Sequence, residues 1–182
     1  MNSGKIMKKL SALIFAGSLL ISANVFSATQ ALLIGVGKYQ DPQFNLEGPK
    51  NDVLALEEVL TKQWGFSRNN ITTLLDSDAT HANIVKALKK LKSKTKTGDQ
   101  IYIYFSGHGT SRLDRNLNMP LPYSSGAFIP SDFPILEGTP KELYDTLIIG
   151  RRDLRPILVE LDDLGRSVFV VFDSCYSGNA VR

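Results

Sequence analysis

Hydrophobic and polar positions follow two distinct patterns along this chain. Short, nearly continuous apolar runs rich in β-branched and aromatic residues predict buried strands at 29–36, 71–75, 100–105 and 167–172. Between these runs, apolar residues recur at helical spacing and predict helices over 53–63, 80–94 and 153–161. Near-continuous apolar strands that alternate with amphipathic helices indicate an α/β fold, a mostly parallel sheet with helices on both faces.

The segments between these elements supply caps, loops and one charged surface. Asn51 and Asp52 are predicted to cap the first helix, and Thr80 the second. Residues 38–49 and 109–126 have loop composition. The lysines at the end of the second helix are typical of a solvated face near a helix C-terminus, and an anionic partner is the alternative interpretation.

Composition and charge exclude several classes of protein. The 182 residues are 43% hydrophobic and 21% charged, which is ordinary for a globular domain. The net charge of +3 comes from Lys5, Lys8 and Lys9, because the first 27 residues contain no acidic side chain. From Ala28 onward the chain has 18 basic and 18 acidic residues. This neutral balance gives no electrostatic reason to expect a nucleic acid or an anionic membrane as a partner.

The N-terminus has the pattern of a secretory signal peptide. Three lysines precede an apolar stretch over 10–26, and small residues follow it, which predicts cleavage after Ser27. We therefore expect a signal peptide over 1–27, one folded domain over 28–182, and an exported protein, periplasmic or secreted. An uncleaved membrane anchor is the competing interpretation, although the stretch is shorter than the roughly 20 apolar residues of a spanning helix.

Candidate chemistry lies at the ends of two predicted strands. Cys175 is the single cysteine, so it forms no disulfide within the chain, and it follows the last strand. His108 follows the third strand, in a glycine-rich turn. Carboxyl ends of neighbouring parallel strands meet at one rim, where ligands bind, and a nearby imidazole can activate a thiol. His81, the other histidine, is expected on the surface.

Three motifs carry a resemblance to a known family. Ser106–Thr110 (SGHGT) and Asp173–Gly178 (DSCYSG) resemble the two catalytic motifs of the caspase-like cysteine peptidases, in their metacaspase and bacterial orthocaspase branch. Ala31–Tyr39 (ALLIGVGKY), followed by Leu46–Asp52 (LEGPKND), is similar to the N-terminal signature of the same branch. The motifs occur in the family's order and in matching strand and loop contexts.

The resemblance implies a mechanism and a role for each matching residue. Cys175 would be the nucleophile and His108 the general base and acid. The backbone N–H groups of Gly109 and Cys175 would form the oxyanion hole. Asp52, Ser106 and Asp173 match an acidic pocket, which implies cleavage of peptide bonds after Arg or Lys.

Without the family, the residues of this pocket have simpler interpretations. Asp52 would be a helix cap and Asp173 a turn residue at a strand end. A catalytically silent caspase-like domain with an interaction or regulatory role is the alternative function, and a glutaminase-type Cys-His enzyme is a third.

The sequence departs from the family at its calcium site and at its C-terminus. Asp132 fits the first calcium ligand of many family members, but Arg151 and Arg152 stand where an acidic pair belongs, and Arg182 where another acid belongs. Arginine does not ligate calcium, so we expect no metal, no cofactor and calcium-independent activity.

The chain ends seven residues after Cys175. The family's C-terminal small subunit, with its further strands, is therefore expected as a missing partner, either because the sequence is truncated or because the chain is processed after the Cys motif. We also expect that the fragment exposes an apolar sheet edge and is inactive by itself.

Overall fold

A computed structural model describes residues 27–113, 121–122, 124–135, 138–176 and 178. The predicted signal peptide, apart from Ser27, and the position of Arg182 lie outside these residues. The elements in chain order are β1 Thr29–Gly35, α1 Pro49–Lys62, β2 Ile71–Leu75, α2 His81–Lys94, β3 Gln100–Ser106, β4 Gly109–Ser111, β5 Gly126–Phe128, α3 Pro140–Thr146, β6 Ile148–Ile149, α4 Arg155–Asp163 and β7 Ser167–Asp173.

The main sheet contains the four strands that the hydrophobic pattern predicts. Its order is β2-β1-β3-β7, and every neighbouring pair is parallel. In the register of the sheet, Gly35 lies opposite both Leu75 and Ser106, and Ser106 lies opposite Asp173. The carboxyl ends of all four strands therefore form one level rim, with β7 at one edge.

Helices cover both faces of this sheet, which confirms the α/β prediction. On one face, α1 packs against β1 and β3 over a core that includes Leu33, Val53 and Leu60. On the other face, α2 packs against β1 and α4 against β7, over a larger core. Alternate residues of β1 and β3 point into the two cores, and burying this apolar area is the main favourable term for the fold.

A second, antiparallel sheet was not predicted. β4, β5 and β6 pair in the order β4-β5-β6; β4 lies in the segment 109–126 that was expected to be loop, and β5 and β6 begin at or after its end. Strands of two or three residues are too short to leave a readable periodicity. The Phe128 ring of β5 stacks on Phe105 with 4.4 Å between ring centroids, and the backbone N–H of Ile129 donates to the His108 carbonyl at 3.0 Å. This small sheet therefore supports the loop that carries His108.

The structure corrects two helix starts. The first helix begins at Pro49 rather than Val53, with Gly48 at its N-cap, so Asn51 and Asp52 lie in its first turn and cap nothing. Proline suits the first helical position because it needs no hydrogen bond there.

The last predicted helix, expected over 153–161, begins at Arg155 after a π-helical turn. Thr80 caps α2 as predicted and accepts the N–H of Asn83 at 3.2 Å. In the described part of the chain, no helix is long and apolar enough to cross a membrane.

Candidate active site

His108 and Cys175 lie at the same rim of the main sheet, as predicted. His108 lies two residues after Ser106 of β3, and Cys175 lies two residues after Asp173 of the neighbouring strand β7. Ser106 and Asp173 lie opposite each other in the sheet. The backbone N–H of Gly107 donates to the Asp173 carbonyl at 3.3 Å, so the two segments remain paired one residue beyond the end of β3. Cys175 is exposed, as a nucleophile for an external substrate must be, and His108 is half-buried.

A backbone carbonyl orients the His108 ring. Its Nε2 lies 2.9 Å from the carbonyl oxygen of Phe44, and the Phe44 ring meets the imidazole edge-on. A carbonyl oxygen can only accept, so Nε2 carries a hydrogen, and the neutral imidazole has its lone pair on Nδ1. The remaining nitrogen, Nδ1, is therefore the atom that can take a proton.

Phe44 reaches this position because the loop before α1 is tightly folded. Asp41 caps a short 3-10 turn at Pro42–Phe44 by accepting the N–H of Gln43 at 3.0 Å. The N–H of Leu46 donates to the Gly37 carbonyl at 2.9 Å and closes the loop. Sequence reasoning identified this segment as a loop but not as a wall of the site, because the contact with His108 spans 64 residues of sequence.

Gly109 is in close contact with the peptide of Cys175. A Cβ atom at Gly109 would lie 2.1 Å from the Cys175 carbonyl oxygen and 3.0 Å from Ser174 Oγ. Only glycine permits so close an approach. Tyr176, the next residue after the cysteine, has a φ of 57°, a left-handed conformation that is strained for a side chain of this size. The His108 and Cys175 loops are thus packed against one another at their backbones.

The three predicted pocket residues also converge. Ser106 Oγ donates to Asp52 Oδ2 at 3.3 Å, and Asp173 lies beside Ser106 in the register of the sheet. Ser106 is buried, whereas both aspartates are exposed. Because α1 begins at Pro49, Asp52 occupies its first turn, where the positive end of the helix dipole favours a negative charge. Two carboxylates beside a hydroxyl can bind a cationic side chain.

Tyr104 belongs to this pocket and was not predicted. Its hydroxyl lies close enough to the Ser106 side chain to interact with it. Burial, and then the negative charges of Asp173 and Asp52, raise the pKa of this hydroxyl, while the interaction with Ser106 lowers it. The available signal was the two-residue strand periodicity, which puts Tyr104 and Ser106 on the same face of β3.

The residues at the family's calcium positions do not fit a calcium ion. The Arg152 guanidinium donates to the Tyr144 carbonyl at 2.7 Å, to the Leu147 carbonyl and to the Asp153 carboxylate. A positively charged side chain, which cannot ligate calcium, thus already binds the carbonyl and carboxylate oxygens around this turn. Asp132 Oδ1 instead accepts the N–H of His81 at 2.9 Å. Within the described ranges, no three His, Cys, Asp or Glu side chains could hold one metal ion.

His81, expected on the surface, is partly exposed and lies beside Arg152. Its Nε2 lies 3.5 Å from the Arg152 Nη2.

Comparison with known proteins gives a consistent result. Residues 29–182 match the family model described as "Metacaspase, peptidase C14 domain". The chain is 33% identical over 160 residues to Metacaspase-1 of Plasmodium falciparum, covering 84% of this chain and 24% of that protein. It is 31% identical over 166 residues to Metacaspase-7 of Arabidopsis thaliana, covering 85% of this chain and 36% of that protein. The chain spans about a quarter to a third of these relatives.

A solved structure supports the fold independently. A crystal structure of a protein from Geobacter sulfurreducens superposes with a TM-score of 0.58 at 23% identity, covering 82% of this chain and 51% of the other. At this identity the likeness concerns the architecture alone.

Proposed function

Because the chain belongs to the metacaspase family of C14 peptidases, we propose that it is the catalytic part of a cysteine endopeptidase that cleaves peptide bonds after Arg or Lys. The observation that carries the proposal is the arrangement at the rim of the sheet. An exposed Cys175 and a His108 whose Nε2 is fixed by the Phe44 carbonyl follow adjacent parallel strands. This arrangement leaves Nδ1 free to act as a base.

In the proposed mechanism, His108 Nδ1 takes the proton of the Cys175 thiol, and the thiolate sulfur attacks the carbonyl carbon of the scissile bond. The carbonyl oxygen becomes an oxyanion, which the backbone N–H groups of Gly109 and Cys175 stabilise. Collapse of this intermediate breaks the C–N bond as His108 returns the proton to the leaving amine. Water, deprotonated by His108, then hydrolyses the thioester and restores the thiol.

The acidic pocket is the basis of the proposed specificity. Asp52 and Asp173 provide two carboxylates at the rim, and Ser106 provides a hydroxyl between them. A guanidinium or ammonium group can form charge-assisted hydrogen bonds with this set, whereas an acidic side chain would be repelled. This arrangement favours basic residues before the scissile bond and disfavours aspartate.

We also propose that activity is independent of calcium. Support comes from Arg152, whose guanidinium binds carbonyl and carboxylate oxygens around the turn before α4. The Arg152 side chain itself supplies a positive charge at this turn.

The exposed edge strand β7 is evidence for a further C-terminal partner segment, the small subunit that the family resemblance implies. β7 has one strand neighbour, β3, in the described sheet. Phe169 is 58% exposed beside Tyr102 and Trp64, and a cavity of about 370 Å³ opens there. Apolar side chains at a free edge indicate a surface that another strand and helix would cover.

Export of the protein remains a proposal based on the first 27 residues. The backbone N–H of Ala28, the residue after the predicted cleavage site, donates to the buried Asp99 carboxylate at 3.0 Å. Cleavage there would turn this N–H into a charged amino group beside Asp99, a stronger pairing. N-terminal sequencing of the exported protein would test the cleavage site.

Cleavage of matched reporter peptides tests the proposed activity. The natural full-length protein and its Cys175→Ala variant are assayed on peptides that differ only in Arg, Lys, Asp or Gln before the scissile bond. We expect cleavage after Arg and Lys only, and none by the variant. Preference for Asp, or unchanged activity of the variant, would contradict the proposal. Hydrolysis of free glutamine above peptide cleavage would identify a glutaminase, and no turnover would favour a silent domain.

A further inference from the structure

We propose that Tyr39 is a positioning residue for the catalytic histidine. The inference rests on the proposed function, since it concerns the same site. It adds a residue to which neither the motifs nor the comparisons give a role. Tyr39 acts on the His108 backbone, whereas Phe44 binds the His108 ring, so the histidine is held at two points by one loop.

The contact between the two residues is direct. The backbone N–H of His108 donates to the Tyr39 hydroxyl oxygen at 2.8 Å. The two rings lie against each other with 5.0 Å between centroids. A Cβ atom at Gly107 would lie 3.1 Å from the Tyr39 hydroxyl, so a glycine before the histidine allows the tyrosine to come close. Tyr39 is 7% exposed, and burial raises the pKa of its hydroxyl, which therefore stays neutral.

Tyr39 can serve as a fixed point because its own backbone N–H and the two N–H groups before it are hydrogen-bonded to side chains. Its N–H donates to Asn45 Oδ1 at 2.9 Å. The preceding N–H groups, of Gly37 and Lys38, donate to Asp76 Oδ1 at 2.9 and 3.0 Å. Asp76 has a φ of 45°, a conformation that aspartate tolerates and that aims its carboxylate at this loop. The loop is therefore anchored to the turn after β2.

The hydrogen bond matters because the His108 N–H has no strand partner. β3 ends at Ser106 and β4 begins at Gly109, so His108 lies in the gap between two sheets. An amide at such a position costs free energy if it loses its acceptor, and the backbone would turn to find another. A turn of the backbone would carry the imidazole away from Cys175, and small misplacements of a catalytic group cost large factors in rate.

The test removes only the hydroxyl. Tyr39→Phe keeps the ring against His108 but deletes the acceptor, and Thr95→Val removes a buried hydroxyl at the end of α2, next to the start of β3 and away from the rim. In the full-length protein, we expect Tyr39→Phe to lower kcat about tenfold with KM within twofold of the wild type. The rate at which iodoacetamide alkylates Cys175 at neutral pH should fall by a similar factor. Thr95→Val should leave both rates unchanged.

Two further measurements make the outcome decisive. Asn45→Ala, which frees the Tyr39 backbone and leaves every side chain around His108 intact, should lower kcat in the same direction and covers the case in which Tyr39→Phe does not fold. The inference is overturned if the folded variants keep wild-type kcat and alkylation rates, or if they change only the melting temperature. Alkylation needs no peptide substrate, so a wrong substrate class would leave this readout intact and would be seen separately.

Discussion

Replacing Gly109 by alanine should separate catalysis from folding. The added Cβ would lie 2.1 Å from the Cys175 carbonyl oxygen, and real Cβ contacts are rarely shorter than 3.0 Å. One of the two segments must therefore move by about 1 Å. Gly109 is paired with Phe128 between two strands, whereas Cys175 follows the last residue of β7 in a turn. The turn with the nucleophile is therefore the part that yields.

A displacement of about 1 Å in a catalytic group costs about 100-fold in rate, or about 2.7 kcal/mol of transition-state stabilisation. We expect Gly109→Ala to lower kcat/KM for an Arg reporter by about this factor, with a melting temperature within a few degrees of the wild type. Gly178→Ala is the matched control, because a Cβ there meets no atom within 4 Å. Gly109→Ala with kcat/KM within threefold of the wild type would refute the claim that the two loops must touch.

Three further predictions concern the pocket, the cation and the sheet edge. Asp52→Asn should lower kcat/KM for Arg reporters about 10- to 100-fold, because a hydrogen bond to a charged group contributes about 1.5–3 kcal/mol. Glu58→Gln on the same helix should have no effect. Equal effects of the two variants would contradict the role of Asp52 in the pocket. Calcium should change the rate less than twofold relative to enzyme treated with a chelator, and a many-fold increase would show that Arg152 does not replace a metal. Phe169→Ser should reduce the self-association of this 182-residue chain in light scattering, since the side chain lies on the free edge strand; unchanged association would show that another surface is responsible.

The long strands could be predicted from the sequence because each of them is a nearly continuous apolar run. β2 was predicted with its observed bounds, and β1, β3 and β7 to within a residue at each end. The same runs indicated which residues follow the strands, and so brought His108 and Cys175 to one rim.

The parts that could not be predicted depend on contacts distant in sequence or on elements too short to show a period. β4, β5 and β6 have two or three residues each, and α3 has seven. Phe44 binds His108 through its backbone carbonyl, which carries no residue-type signal, and the Tyr39 hydroxyl reaches the His108 N–H across 69 residues of sequence. The start of α1 was misplaced because Asp52 resembles a cap, although a proline three residues earlier is the better marker.

The most direct test of the central claim is covalent labelling of Cys175. The full-length protein is incubated with a peptidyl chloromethylketone that ends in Arg, and the modified residue is identified by mass spectrometry. We predict one adduct on Cys175, formed slowly or not at all in a His108→Ala variant and with a reagent that ends in Asp. An unlabelled Cys175, or equal labelling in the His108→Ala variant, would contradict the claim that these two residues form the catalytic pair.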